Sequence, residues 1–183
     1  MRLAQLALAS VAALSATAMP ALAQKTTQTG VGGGGSPHVT SEWTIGGANI
    51  SISYGRPSIK GRDESKMMPA GKVWRSGADE ATVLTTNKSL TFGSLKLVPG
   101  SYTINTEPGA SSWQLIVGKL GKPGQWGIPY QRDLELGRAA MKVSKTTAPV
   151  EQVTYAIDRT GNGGVLHVEW GTTRASVPFT IDK

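Results

Sequence analysis

The sequence predicts an all-β fold, an antiparallel β-sandwich of about nine or ten short strands with little helix. Apolar and polar residues alternate with a period of two along most of the chain, which is typical of strands that bury one face. Each alternating run is short and is bounded by residues that favour chain reversals, chiefly glycine, proline and asparagine. Because patterns with the 3.6-residue period of an amphipathic helix are scarce, we expect strands to supply the core.

Residues 1–23 have the organisation of a secretory signal peptide. Arg2 precedes an apolar run over residues 3–18, and the small-residue pattern Ala21-Leu22-Ala23 follows. We predict cleavage after Ala23, which places the mature protein in the periplasm or outside the cell. A retained membrane anchor is disfavoured because the run of 16 apolar residues is shorter than the roughly 20 that span a bilayer. A lipoprotein is excluded because there is no cysteine to carry the lipid.

Residues 24–37 are predicted to form a flexible linker. The segment is polar and contains four consecutive glycines at 32–35, so it offers little to bury. A phosphate-binding glycine loop would need a strand before it and a helix after it, and neither pattern is present. The folded domain is therefore expected as one unit over residues 38–183.

Six alternating runs mark the clearest strands of this domain. They cover, in order, Ile50–Tyr54, Tyr102–Ile104, Trp113–Val117, Val153–Ile157, Leu166–Trp170 and Ala175–Ile181. The segment Phe92-Gly93-Ser94-Leu95 fits a two-residue hairpin in which Gly93 supplies a positive φ. Further reversals are predicted at Pro99-Gly100, Pro108-Gly109, Asn162-Gly163-Gly164 and Gly171-Thr172. The candidate helix is Gln131–Leu136, which is long enough for one turn.

Composition restricts the chemistry of this chain of 183 residues. The absence of cysteine excludes disulfides, thiol nucleophiles, Cys-based zinc sites and iron–sulfur clusters, and two histidines are too few for a three-histidine metal site. Serine-hydrolase, zinc-protease, nucleotide-loop and calcium-loop motifs do not occur either. We therefore expect neither a cofactor nor a metal.

The formal charge of +7 falls to +6 when Arg2 leaves with the leader, since 18 Lys and Arg then face 12 Asp and Glu. These charges are scattered along the chain, whereas a nucleic-acid-binding arm concentrates them in runs. We expect no nucleic-acid partner and no membrane span in the mature protein. The basic excess instead favours association with anionic components of the cell envelope.

The segment from Gly55 to Thr82 departs from the strand rhythm. It contains six basic and four acidic residues, listed as Arg56, Lys60, Arg62, Lys66, Lys72, Arg75, Asp63, Glu64, Asp79 and Glu80. A connection this long inside a compact domain is uncommon unless it is functional, disordered or contains further structure. Candidate functional residues are therefore sought here first.

The same segment resembles a family of bacterial secreted proteins. The motif residues are Tyr54–Arg62 and Gly71–Thr82, with later agreement at Leu97–Tyr102, Gly124–Gly127 and Glu169–Pro178. On these residues the chain is similar, over about 36–182, to domain-of-unknown-function family 2911. The resemblance implies a secreted single-domain protein, and it implies no activity, substrate or catalytic residue.

A ligand site is one interpretation of the charged segment and its tryptophans. The candidate ligand-binding residues are Arg56, Lys60, Arg62, Trp74, Arg75, Asp79, Glu80 and Trp126. Guanidinium groups match carboxylate, phosphate or sulfate, and a tryptophan beside them can stack on a sugar. The alternative is structural: Asp79 and Glu80 pair with the arginines to hold the connection closed, and Trp74 and Trp126 plug an end of the sandwich, while Trp113 and Trp170 lie in the core.

Acid–base catalysis is the weaker interpretation, with Asp79, Glu80 and His167 as its candidates. His38, His167 and Glu169 could form a two-histidine, one-carboxylate metal site, but an exposed polar strand face explains His167 and Glu169 more simply. The sequence thus favours a binding protein over an enzyme. Its expected partner is an anionic small molecule, a glycan or an envelope component, and the alternatives are a hydrolase and a structural envelope protein.

Overall fold

A computed structural model describes residues 24–182, so the predicted leader at 1–23 lies outside the described residues. Within that range the chain forms ten strands, one four-residue α-helix α1 (Glu64–Met67) and a 3-10 turn at Arg132–Leu134. The strands are β1 (Lys25–Val31), β2 (Pro37–Ile45), β3 (Ala48–Gly55), β4 (Val83–Thr86), β5 (Leu90–Phe92), β6 (Leu95–Leu97), β7 (Gly100–Glu107), β8 (Ser112–Lys119), β9 (Glu135–Thr160) and β10 (Gly163–Ile181). The predicted all-β class is confirmed, and the turn at 132–134 falls inside the segment predicted for it.

All strand pairs are antiparallel, and hydrogen bonds join the ten strands of residues 24–182 into one open sheet. The strand order is β1-β2-β3-β4-β7-β8-β9-β10-β5-β6. Two separate sheets, as a sandwich requires, are not observed. The long strands β9 and β10 account for the difference. Strand β10 joins the two short strands predicted at Leu166–Trp170 and Ala175–Ile181, and β9 extends far beyond the one predicted at Val153–Ile157.

The sheet folds back on itself to bury one continuous core. Tyr54 of β3 meets Tyr155 of β9 edge to face at 4.7 Å between ring centres, although three strands separate β3 from β9 in the sheet order. The inward residues of the alternating runs supply this core, including Ile50, Leu115 and Val168. Burying one face of each strand against the opposite part of the same sheet explains the period of two in the sequence.

The predicted hairpin at residues 92–95 is confirmed. Phe92 of β5 pairs with Leu95 of β6, and Gly93 adopts a φ of 61° at the first loop position. A positive φ at this position is the requirement of a tight hairpin turn, which glycine meets at no steric cost.

Residues 24–37 differ from the predicted flexible linker, because β1 occupies most of the segment. Strand β1 pairs with β2 along its length, from Lys25 opposite Glu42 to Val31 opposite Pro37. All seven side chains of β1 are exposed, so backbone hydrogen bonds and threonine-rich β propensity hold the strand without apolar burial. Strand β1 could not be predicted from the alternation of apolar and polar residues, because it buries neither face. The four glycines form the turn to β2, where the Gly32 N–H donates to the Ser36 carbonyl at 2.9 Å.

Strand β10 runs straight through the reversal predicted at Gly171-Thr172. Its register against β9 shifts on both sides of Gly171, which adopts a φ of 60°. This is a bulge, a local kink in a continuing strand, and glycine suits the bulged position for the same reason that it suits a turn. The sequence signal was thus correct about the backbone conformation and wrong about the reversal.

Candidate functional site

The connection between β3 and β4 is ordered, and isolated bridges attach it to the sheet at two points and to the loop between β8 and β9 at a third. Isolated bridges join Ser58 to Gln152, Trp74 to Thr106 and Glu80 to Trp126. Between them, α1 begins after Asp63, whose carboxylate accepts a hydrogen bond from the Ser65 N–H at 2.9 Å. Of the three explanations for so long a connection, unrecognised structure is therefore correct for α1 and the bridges, and disorder is not observed.

This connection forms most of the wall of a cleft with a volume of about 690 Å³. The turn from β1 to β2 contributes Gly34, Gly35 and Ser36, and β10 contributes Trp170. Five of the eight predicted ligand-binding residues line the cleft, namely Lys60, Arg62, Trp74, Arg75 and Asp79. Arg56, Glu80 and Trp126 are not part of its lining.

Backbone carbonyls hold two of the three cations of the cleft, Arg62 and Arg75, whereas the Lys60 side chain is exposed. Arg62 donates from Nε to the Ile59 carbonyl at 3.0 Å, and Arg75 donates from Nε to the Gly77 carbonyl at 3.1 Å. Lys60 has its backbone in the left-handed region, with a φ of 50°, and an exposed side chain. Within residues 24–182, no salt bridge to a carboxylate involves Lys60, Arg62 or Arg75. Within that range, none of the three side chains is therefore in direct contact with a carboxylate, although Asp79 lines the same cleft and Glu151 accepts from the Lys60 N–H at 2.9 Å.

The carboxylates of the connection pair with a histidine instead of the arginines. Asp79 Oδ2 lies 3.0 Å from His38 Nε2, and Glu80 Oε2 lies 3.3 Å from His38 Nδ1. Asp79 has a φ of 62°, a left-handed conformation that aspartate tolerates better than most residues. The predicted structural network of Asp79 and Glu80 with the arginines is thus not observed. Sequence reasoning considered His38 for a metal site with His167 and Glu169 and missed its position beside Asp79 and Glu80.

Trp74 joins the cleft to the core. Its ring stacks on Trp170 with 5.5 Å between centres and 7° between planes, and it meets Trp113 edge to face at 6.3 Å. Trp113 and Trp170 are buried, as predicted, whereas Trp74 is half-buried and its remaining surface lines the cleft. A rigid aromatic group therefore stands among the cleft's cations.

Comparison with protein families shows where the chain belongs. The model of a family described as "Protein of unknown function (DUF2911)" matches residues 36–179. The chain belongs to the DUF2911 family. Curated proteins and solved structures gave no significant match. The family match covers the connection, strands β2 to β9 and most of β10 of the DUF2911 chain, together with the cleft residues from Ser36 onward, and its description assigns no activity.

Arg56 of this DUF2911 chain has a structural environment outside the cleft. Its Nε donates to the Val153 carbonyl at 3.0 Å and its Nη2 donates to Thr154 Oγ1 at 2.9 Å. Both partners belong to β9, which faces β3 across the core. These contacts join the start of the connection to β9, and Arg56 is not part of the cleft lining.

Trp126 lies on the neighbouring loop between β8 and β9 and is 51% exposed. It lines a small pocket beside the cleft with Tyr130, Asn105 and Leu134. The next residues of that loop reach the cleft itself, because Ile128 is part of its lining. Trp126 therefore flanks the cleft and does not plug an end of the sheet.

His167 is buried elsewhere in the DUF2911 fold. Its Nε2 lies 2.9 Å from Asp158 Oδ2 and its Nδ1 lies 2.8 Å from Ser176 Oγ, while Glu169 pairs with Arg174. The face expected to be exposed is thus buried at His167, which is 5% exposed. Neither ring nitrogen contacts Asp79 or Glu80, so the structure does not assemble the proposed acid–base pair. Among residues 24–182, no cluster of three His, Asp or Glu could hold a metal ion.

The densest ionic network of the described residues lies in the sheet and not in the connection. Arg138 on β9 binds Glu135 at 2.7 Å and Glu107 of β7 at 2.9 Å, and the Tyr130 hydroxyl donates to Glu135. Hydrogen bonds from Arg138, opposed by burial, hold the pKa of Glu135 below its ordinary value. Burial and the hydrogen bond to Glu135 raise the pKa of Tyr130 to about 12. Tyr130, Glu135 and Arg138 are close along the chain, but Glu107 is 31 residues from Arg138, and the pairing of the strands brings it to the network.

Of the helices in residues 24–182, none is long and apolar enough to cross a membrane.

Proposed function

We propose that this DUF2911 protein binds a small ligand carrying carboxylate or sulfate groups in the cleft, without catalysis, as an exported protein. One observation supports the proposal above all others. Lys60, Arg62 and Arg75 converge on one cleft of about 690 Å³, and within residues 24–182 no carboxylate forms a salt bridge with any of them. A bound anion would supply the missing opposite charge.

The arginines are oriented for such a role. Each arginine donates to backbone carbonyls from Nε and from one terminal nitrogen. The second bond of Arg62 runs from Nη2 to the Ser58 carbonyl, and that of Arg75 runs from Nη1 to the Asp79 carbonyl at 3.4 Å. One terminal nitrogen of each guanidinium remains for a ligand. Because the side chains are already fixed, little conformational entropy is lost when an anion binds.

The acidic residue that lines the cleft, Asp79, is in contact with a histidine. Asp79 is 9% exposed and its Oδ2 contacts His38, which also faces Glu80. The histidine therefore draws both carboxylates away from Arg62 and Arg75. Replacing His38 would free this negative charge toward the cleft and weaken anion binding.

The apolar part of the cleft suits a ligand that also has a ring or carbon face. Trp74, Met67, Val73 and Ile128 line it together with the cations. Burying apolar ligand surface against such side chains contributes roughly 25 cal/mol per Å², while the cations fix the orientation. This combination fits an acidic sugar better than a bare inorganic anion.

Calorimetric titration with galacturonate and with glucose 6-sulfate tests the proposal, with glucose as the neutral control. We expect the charged sugars to bind and Lys60→Glu to weaken them at least tenfold, a loss of about 1.4 kcal/mol. Arg159→Glu is the matched control, because it makes the same charge change at an exposed cation outside the cleft lining. Arg159 lies on β9, seven residues after Gln152, which pairs with Ser58 of the cleft. Both variants should melt at the wild-type temperature.

Equal binding of glucose and the charged sugars would contradict an anion site. Equal losses in Lys60→Glu and Arg159→Glu would mean that only the overall charge matters, and the absence of binding by both charged sugars would reject the proposal.

A further inference from the structure

The loop between β8 and β9 extends the binding surface beyond the cleft. Among residues 24–182 the large apolar side chains that are most exposed include Trp126 at 51% and Ile128 at 56%, and Trp126 is the aromatic one. Ile128 lines the cleft and Trp126 lies two residues before it. Their Cα atoms are thus within about 7 Å of one another. An exposed indole so close to a proposed site is a candidate second contact for the same ligand.

Backbone hydrogen bonds hold this loop against the cleft wall. The Gly127 N–H donates to the Asp79 carbonyl at 3.0 Å, and the Ala81 N–H donates to the Gln125 carbonyl at 2.9 Å. The Gln125 side chain in turn accepts from the Gly121 N–H at 2.7 Å. The loop therefore has a defined position beside the connection.

Gly127, the residue after Trp126, lies against Arg75. A Cβ atom at residue 127 would come within 2.8 Å of Arg75 Cδ and within 3.1 Å of the Asp79 carbonyl, so a glycine lets the two segments approach this closely. The loop therefore passes directly beside the arginine of the cleft, and Trp126 and Ile128 lie on either side of the contact along the chain.

Charge continues along the same loop. Lys122 lies four residues before Trp126, its side chain is exposed, and within residues 24–182 it forms no salt bridge. The two exposed apolar side chains are separated by Gly127 and preceded by Gly124. They are too few for the apolar core of a protein–protein interface, which normally contains a cluster of such residues.

We infer that the ligand is an extended acidic polysaccharide, with its first two units in the cleft of about 690 Å³ and the following units across Ile128 and Trp126. The inference rests on the proposed function, because the cleft supplies the first two subsites. A sugar ring offers an apolar C–H face to an indole and an acidic group at its edge to a cation, which matches the alternation of Arg75, Trp126 and Lys122. A single small anion would leave Trp126 unused.

Calorimetric titration with oligosaccharides of defined length tests this inference. The probes are di- and hexagalacturonate, heparin-derived di- and hexasaccharides, and maltohexaose as the neutral control. The carboxylated and sulfated series distinguish the two kinds of acidic group. We expect at least one acidic hexasaccharide to bind tenfold or more tightly than its disaccharide, and maltohexaose not to bind.

Trp126→Ala should remove the gain with length and leave disaccharide affinity unchanged. Leu136→Ala is the control, because Leu136 is another exposed apolar residue and does not line the cleft. Arg75→Gln should weaken both lengths.

Each remaining outcome decides one of the two proposals. Equal affinity for both lengths, or equal losses for both lengths in Trp126→Ala, would overturn the extended site while the cleft site stands. Absence of binding by all acidic probes would reject the proposed function itself.

Discussion

At the scale of single residues, His167 shows how burial can outweigh an ion pair. Its imidazole is enclosed by the sheet, whereas the side chain of its partner Asp158 is 67% exposed. Solvent screens the attraction to an exposed carboxylate, but burial penalises the charged ring directly. Burial accordingly lowers the pKa of His167 below its ordinary value of 6.5, although Asp158 opposes the change.

This direction predicts how the protein responds to acid. A histidine whose pKa is lower in the folded state takes up a proton on unfolding, so the free energy of unfolding falls as pH drops below about 6.5. His167→Asn should remove that component: between pH 8 and pH 5 the wild type should lose more stability than the variant, as measured by urea denaturation. The pKa values of Glu64 and Glu135 are also lowered, but protonation of these carboxylates reduces the free energy of unfolding below about pH 4.5, outside the range from pH 8 to pH 5. Parallel losses in wild type and variant would contradict the assignment.

The sequence could predict those residues of the candidate site whose side-chain type alone suggests a role, such as a cation for an anionic ligand. Lys60, Arg62 and Arg75 stand out as cations in a long connection, and the structure places all three on the cleft. His38 could not be found in this way. It is 41 residues from Asp79 along the chain, and only the fold brings the two side chains together.

At the scale of elements, α1 stabilises the bulge of β10. Glu64 accepts a hydrogen bond from the Thr172 N–H at 2.7 Å and another from Thr173 Oγ1 at 2.9 Å. Although burial opposes it, these hydrogen bonds hold the pKa of Glu64 below its ordinary value. The bulge frees a backbone N–H from the strand ladder, and a carboxylate from a distant helix satisfies it.

We predict that Gly171→Ala destabilises the protein by about 2 kcal/mol or more. One part of the cost is the left-handed φ of 60° at Gly171, and the other is contact, since a Cβ there would lie 2.3 Å from Glu64 Cδ. Glu64→Ala removes the contact but not the backbone cost. Urea denaturation of both single variants and the double variant should therefore give a sum of single losses that exceeds the double loss by about 0.5–3 kcal/mol.

Additive losses in that cycle would show that Glu64 and Gly171 act independently. Gly93→Ala serves as the control, because Gly93 also has a positive φ and no atom within 4 Å of its missing Cβ. Its loss should be additive with Glu64→Ala.

The two glycines also show which elements sequence can predict. Gly93 lies between strands that pair with each other, so the hairpin at 92–95 depends on neighbouring residues alone. Gly171 has the same conformation, but β10 continues beyond it because the long partner β9 and the distant Glu64 support the bulge. Local turn chemistry specifies φ. The partner strand decides whether the chain then reverses.

At the scale of the whole molecule, the alternation of apolar and polar residues predicts that each strand buries one face. It does not predict which part of the molecule covers that face. A single sheet folded back on itself and two packed sheets need the same period of two. The distinction rests on the 26 residues of β9 and the 19 of β10, which link both parts of the molecule by hydrogen bonds. Strand β1 adds a part held by backbone pairing and polar side-chain contacts such as Thr26 Oγ1 to Ser41 Oγ, and its exposed side chains leave no burial pattern in the sequence.

The position of β1 gives export a structural consequence. We predict cleavage after Ala23, and β1 begins at Lys25, so processing would leave one residue, Gln24, before the first strand. The small residues Ala21 and Ala23 are the recognition pattern, whereas Leu22 between them is unconstrained. Expression with the leader in a Gram-negative host should give a periplasmic product whose intact mass begins at Gln24. Ala23→Arg should block cleavage and Leu22→Gln should not; a full-length cytoplasmic wild-type product would contradict export, and with it any ligand drawn from the cell envelope.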